Sequence, residues 1–104
     1  MAWTLGFVGC GVMAEVMIAG ILEEGLLDPQ HIIASNRRGT RSEALASTYG
    51  IRTTDDNLEV ARTADVLVLS VKPQSLAGVL NQLKDQLSDD TMVLSIVAGA
   101  SMQI

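Results

Sequence analysis

The stretch TLGFVGCGVMAEVMIAGIL, from Thr4 to Leu22, sets Gly6, Gly9 and Gly11 within six positions between an apolar run and a helical run. Glycine loses the most backbone freedom on ordering, so three so close need a local purpose: a tight turn, or a backbone that something must approach. Thr4 to Val8 reads as a short buried strand. Met13 to Leu22, where Glu15 is the only charge, reads as a helix buried over most of its surface.

The rest of the chain repeats that unit. Gly25 stops the first helix and Asp28-Pro29 marks a turn. His31–Ser35 is a second strand, Ser42–Tyr49 a helix closed by Gly50, and Ile51–Thr54 a short third strand. Asp56 or Asn57 caps a short helix through Ala64. Val66–Val71 is the clearest strand, a continuous β-rich run suited to a central position covered on both faces. Pro73 opens a helix to about Leu87, and Thr91–Val97 is a fifth strand. Alternation of this kind predicts an α/β fold: a single doubly wound parallel sheet, Rossmann-like, in the strand order 3-2-1-4-5, with right-handed crossovers.

Bulk properties narrow the function. With 104 residues there is room for one small domain, and the net charge of −5 argues against a general nucleic-acid binder. No run is long and apolar enough to span a membrane. The lone Cys10 cannot form an internal disulfide, which fits a reducing, cytoplasmic setting. Asp55, Asp56 and Glu59 lack the spacing of a metal site and read as helix-start charges, so no metal is expected.

Gly9-Cys10-Gly11-Val12-Met13-Ala14 reads G-x-G-x-x-A between a strand and a helix, the context that a dinucleotide fingerprint demands. Gly9 permits the turn, Gly11 lets a diphosphate approach the main chain, and Ala14 keeps the helix close to the sheet. The amides near Val12 and Met13 lack internal partners and carry the positive end of the helix dipole. The bland alternative is a glycine turn serving packing alone. About 20 residues on, where an NAD site usually carries an acid, stands Ser35-Asn36-Arg37-Arg38. An acid would repel a 2′-phosphate, whereas guanidinium groups attract one, so this segment favours NADP(H) over NAD(H). A solvated basic loop is the alternative, and Arg41 is either a second clamp or surface. Ser70-Val71-Lys72-Pro73-Gln74 follows the fourth strand on the same sheet edge, where Lys72 either lies beside the nicotinamide half or merely precedes a helix. Ala98 and Gly99, after the fifth strand, leave room there for a ring.

These pieces resemble the amino-terminal part of the pyrroline-5-carboxylate reductase family. The resemblance rests on GFVGCGVMAEVMIAGIL, ADVLVLSVKPQ and SIVAGAS, in that order and at that family's spacing. It implies an NAD(P)H-dependent oxidoreductase of proline biosynthesis, which delivers hydride to the C=N carbon of 1-pyrroline-5-carboxylate and yields L-proline. It places Gly9 to Met13 at the diphosphate and Asn36, Arg37 and Arg38 around the adenine ribose. Asn57 becomes a cofactor contact, Ser70, Val71, Lys72 and Pro73 line the nicotinamide side, and Val97 and Ala98 lie opposite. Lys72 would bind and not donate the proton; no catalytic residue is assigned. The resemblance also implies a homo-oligomer built by a carboxyl-terminal helical domain that is absent from residues 1–104, and so no appreciable turnover from this stretch alone. A 3-hydroxyacid or 6-phosphogluconate type dehydrogenase shares the glycine turn and the basic loop, and a non-catalytic nucleotide-binding redox sensor is a further alternative.

Overall fold

Ten short segments of regular structure follow the predicted alternation in a computed structural model, which describes residues 3–36, 39–87 and 90–96. They are β1 (Leu5–Val8), α1 (Val12–Glu23), a 3-10 turn (Pro29–His31), β2 (Ile32–Ser35), α2 (Gly39–Tyr49), β3 (Arg52–Thr54), α3 (Asn57–Thr63), β4 (Val66–Leu69), α4 (Pro73–Leu83) and β5 (Met92–Ser95). The five strands form one parallel sheet in the order β3-β2-β1-β4-β5, as the alternation requires. Register runs evenly, with Phe7 opposite Ala34 on one side and Val68 on the other.

Each sheet face carries its own core. Phe7, Ile18, Ile32, Leu45 and Val68 meet between the sheet and the α1/α2 side. Val8, Ile33, Val60, Leu67, Leu69 and Leu83 fill the α3/α4 side. The central strands are buried on both faces, the usual condition of a parallel sheet. At the far edge β5 is exposed along its length, with Met92, Val93 and Leu94 open to solvent.

Gly6 belongs to packing. A Cβ there would lie 2.6 Å from Val60 Cγ1 and 2.7 Å from Ala64 Cβ, so α3 rests directly on the β1 backbone. Ala14, wholly buried, does the same for α1 on the opposite face.

Several boundaries shift. β4 stops at Leu69 rather than Val71: the Ser70 N–H still donates to the Val8 carbonyl at 2.9 Å, and Ser70 and Val71 then border the glycine turn. α4 stops at Leu83, its last buried residue, and continues as turns to Gln86. α2 begins at Gly39, so Arg41 is helical. Asp56, not Asn57, caps α3: its side chain accepts from the Leu58 N–H at 2.9 Å. No helix among the described residues is long and apolar enough to cross a membrane. β5 keeps Met92–Ser95 of the expected Thr91–Val97, and Val97 lies outside the described residues.

Candidate functional site

The strand order reverses between β1 and β4, whose carboxyl ends diverge toward neighbours on opposite sides. Open α/β sheets bind ligands in the crevice at such a point. Here a cleft of about 730 Å³ opens, walled by the glycine turn, the start of α1, the ends of β2 and β4, and the start of α4.

The turn is fixed by sterics. Gly9 has φ +78, a left-handed conformation, and a Cβ there would meet the Ser70 carbonyl oxygen at 2.6 Å. Its N–H donates to the Ser35 carbonyl at 3.2 Å, which fastens the turn to β2. Gly11 is the opposite case: among the described residues a Cβ there would meet nothing within 4 Å. α1 has no side-chain cap, and its first internal bond runs from Glu15 N–H to the Gly11 carbonyl at 3.0 Å. The Val12 and Met13 amides thus precede the internal ladder. Val12 and Met13 are exposed, at 77% and 53%, and both line the cleft.

Between the two glycines, the Cys10 carbonyl points toward α2. It accepts from Asn36 Nδ2 at 3.4 Å and from Arg41 Nε at 3.2 Å. The Cys10 side chain turns inward, and burial pushes its thiol up to about 11, with Arg41 pulling weakly the other way. It is a small apolar filler under the turn and not a poised nucleophile. Arg41 also pairs with Glu15 (Nη2 to Oε1, 2.6 Å), whose other oxygen accepts from the Tyr49 hydroxyl at 2.7 Å. The Tyr49 bond first, and Arg41 second, hold the Glu15 carboxyl below its ordinary range; donating to Glu15 pushes the Tyr49 phenol up.

On the β2 side, the buried Ser35 hydroxyl donates to Asn57 Oδ1 at 2.6 Å, and Asn57 Nδ2 donates to Gln82 Oε1 at 3.3 Å. Both amide ends of Asn57 are therefore assigned, and the residue faces the cleft from the first position of α3.

Of the residues singled out in the sequence, Gly9, Cys10, Gly11, Val12 and Met13 line the cleft on one wall. Ser35, Asn36 and Asn57 line a second wall, and Ser70, Val71 and Lys72 a third. Pro73 is not part of the lining; it is the exposed first residue of α4. Arg37, Arg38, Val97 and Ala98 lie outside the described residues. The motif reading passed over Thr40, Ser75 and Val79, which also border the cleft. Ser75 and Val79 sit four apart on α4, and that spacing puts both on the face that the Lys72-Pro73 start aims at the turn. Among the described residues no group of acids, His or Cys could hold a metal ion.

Residues 4–99 match the family model described as NADP oxidoreductase, coenzyme F420-dependent. The chain belongs to that family. Within it, the chain is 41% identical over 103 residues to the pyrroline-5-carboxylate reductase of a Synechocystis strain, an alignment covering 99% of this chain and 38% of that one. The solved pyrroline-5-carboxylate reductase from Coxiella burnetii superposes with a TM-score of 0.88 at 34% identity, over 97% of this chain and 37% of that one. The Plasmodium falciparum pyrroline carboxylate reductase, solved with NADP bound, superposes at 0.78 with 25% identity, over 96% of this chain and 35% of that one. The chain thus spans little more than a third of the length of the relatives it matches.

Proposed function

We propose that this chain is the NADP(H)-binding part of a pyrroline-5-carboxylate reductase, an enzyme that reduces 1-pyrroline-5-carboxylate to L-proline. The observation that carries the reading is the unblocked mouth of α1. Gly9 makes the turn, no atom of the described residues beyond its chain neighbours stands within 4 Å of a Cβ built on Gly11, and Val12 and Met13 at the start of the helix line the crevice at the strand reversal. A main-chain cradle of that shape fits a diphosphate, which needs donors and no intruding side chain. The relatives supply the substrate: they are pyrroline-5-carboxylate reductases, and one was solved with NADP.

When bound, the nicotinamide supplies the hydride. The chain's own residues bind and orient. Amides of Gly11, Val12 and Met13 hold the diphosphate. Asn36, with Arg37 and Arg38, takes the adenine ribose and its 2′-phosphate, while Asn57, locked by Ser35 and Gln82, sets the ribose edge. Ser70, Val71 and Lys72 border the nicotinamide side, with Pro73 starting the helix behind them and Val97 and Ala98 across. Lys72 binds; the group that protonates the imine nitrogen comes from elsewhere in a longer protein. That protein carries a helical dimerisation domain, works as a homo-oligomer and resides in the cytoplasm. The lone buried Cys10 suits a reducing compartment, and the exposed β5 edge suits burial in a larger assembly.

Calorimetric titration with NADPH and NADH tests the reading, on the native chain and on Gly11→Ala. Native chain is expected to bind NADPH about tenfold or more tighter than NADH. Gly11→Ala should unfold at nearly the native temperature, since its Cβ meets nothing, yet lose about tenfold or more in affinity for both nucleotides. Unchanged binding by Gly11→Ala, or no binding by the native chain, overturns the proposal.

A further inference from the structure

Arg41 stands between two surfaces. On one side it borders the cleft beside Asn36 and Thr40. On the other stand Glu15 and Tyr49, which do not line the cleft and instead border a shallow groove on the outer side of α1. The contacts run in series from the phosphate turn outward. Arg41 Nε donates to the Cys10 carbonyl at 3.2 Å, Arg41 Nη2 meets Glu15 Oε1 at 2.6 Å, and the Tyr49 hydroxyl donates to Glu15 Oε2 at 2.7 Å. Both carboxylate oxygens of Glu15 are thus taken by α2, one from near the start of that helix and one from its last residue. Glu15 sits one turn along α1 from Gly11, with its N–H bonded to the Gly11 carbonyl.

Two physical consequences follow. An unneutralised acid one turn inside α1 would repel an anion at the helix mouth, and Arg41 cancels that charge. The bonds to Cys10 and Glu15 use Nε and Nη2, so they leave Nη1, with its two N–H groups, as the part of the guanidinium that they do not engage. A long Arg side chain normally forfeits rotamer freedom on binding an anion; one already held at two points forfeits less.

We propose that Glu15 and Tyr49 are positioning residues, which hold Arg41 at the corner of β2 and the glycine turn as a pre-ordered contact for the 2′-phosphate of NADPH. This deepens the dinucleotide reading and rests on it. Its distinctive content is that residues outside the cleft set the discrimination between NADPH and NADH.

The test is titration of NADPH, NADH and adenosine 2′,5′-bisphosphate against the native chain, Glu15→Gln, Tyr49→Phe, Arg41→Gln and the Glu15→Gln/Arg41→Gln pair. Circular dichroism and thermal unfolding check each variant's fold. Glu15→Gln is expected to weaken NADPH and the bisphosphate about fivefold to tenfold and NADH less than about twofold. Tyr49→Phe, which keeps the ring and so guards against misfolding of the first variant, should do the same to about half that extent on the logarithmic scale. In the Arg41→Gln background, Glu15→Gln should leave the NADPH-to-NADH ratio unchanged, and any gain from removing the now unpaired carboxylate should be equal for the two nucleotides. Tighter NADPH binding by Glu15→Gln would mean that the carboxylate competes for Arg41, and would overturn the proposal. So would equal losses for NADPH and NADH, which mark a purely structural role, or an unchanged ratio in Arg41→Gln. A native chain that binds both nucleotides while the ratios stay fixed removes this inference alone; one that binds neither removes the dinucleotide reading as well.

Discussion

The Ser35 hydroxyl, at the carboxyl end of β2, donates across 2.6 Å to Oδ1 of Asn57 at the start of α3. Ser35 is 1% exposed and the only buried polar residue among those described; its hydroxyl also reaches the Phe7 carbonyl at 3.5 Å and accepts from the Gly9 N–H at 3.4 Å. The bond fixes which end of the Asn57 amide faces β2 and which reaches Gln82. Ser35→Ala should destabilise the chain by about 1 kcal/mol, since one neutral hydrogen bond is lost and half-buried Asn57 can turn to water. Chemical denaturation measures this. The same variant should bind NADPH and NADH about threefold more weakly and equally so, because Asn57 loses its orientation while the phosphate clamp is untouched.

The three glycines of β1 and the turn after it separate into three behaviours. Gly9→Ala must hold a side chain at φ +78 with its Cβ 2.6 Å from a backbone oxygen, and should lose on the order of 1–3 kcal/mol. Gly6→Ala pushes against Val60 and Ala64 and should lose a similar amount, roughly 1–3 kcal/mol, by forcing α3 off the sheet. For a domain of this size each is worth roughly 4–8 °C per kcal/mol in thermal unfolding. Gly11→Ala, with open space at its Cβ, should shift the melting temperature least of the three while weakening nucleotide binding most. A ranking in which Gly11→Ala is the most unstable would contradict this account.

The capping of α3 gives a third test. Asp56 Oδ1 accepts from Leu58 N–H at 2.9 Å, and Asp56 N–H in turn donates to Thr54 Oγ1 at 3.1 Å. Asp56→Ala should cost about 1 kcal/mol, and Asp56→Asn much less, because an amide oxygen serves as well as a carboxylate at an N-cap. Stability curves of the two variants side by side decide it.

What the sequence made legible was local or periodic. Strand–helix alternation carried the sheet order, and the glycine spacing carried the turn, because both are properties of neighbours along the chain. The side-chain relay was not legible. Ser35 and Asn57 are 22 residues apart, and Asn57 beside Asp56 has the chemistry of a cap as well as of a tertiary partner. The residues alone leave the cap to Asp56 or Asn57; the fold gives it to Asp56, and Asn57 lines the cleft. Arg41 is a similar case. As a letter in a basic run it reads as clamp or surface, and its bond to Cys10, 31 residues away, depends on how α2 lies against α1. Gly6 lies inside the expected first strand, and the reason for a glycine there comes from α3, which passes over β1. The resemblance sets Pro73 with Lys72 on the nicotinamide side; in the fold Pro73 is the exposed first residue of α4, beside the cleft-lining Lys72.

The last prediction concerns Cys10, whose thiol is pushed from the ordinary 9.0 to about 11 by burial beneath the turn. The raised value means that the folded chain holds its proton to higher pH than the unfolded chain does. Stability from this group is fully present below about pH 9 and is lost as pH rises from there through about 11. Denaturant unfolding across that window should therefore decline more steeply for the native chain than for Cys10→Ala. Alkylation by iodoacetamide at neutral pH should be slow in the folded chain and rapid in denaturant. Fast modification of folded protein at pH 7, or parallel alkaline declines for the two chains, would show that the thiol is neither buried nor suppressed. Because Cys10 lies directly under the turn, nucleotide binding that rigidifies that turn should slow alkylation further, which gives a readout of site occupancy independent of calorimetry.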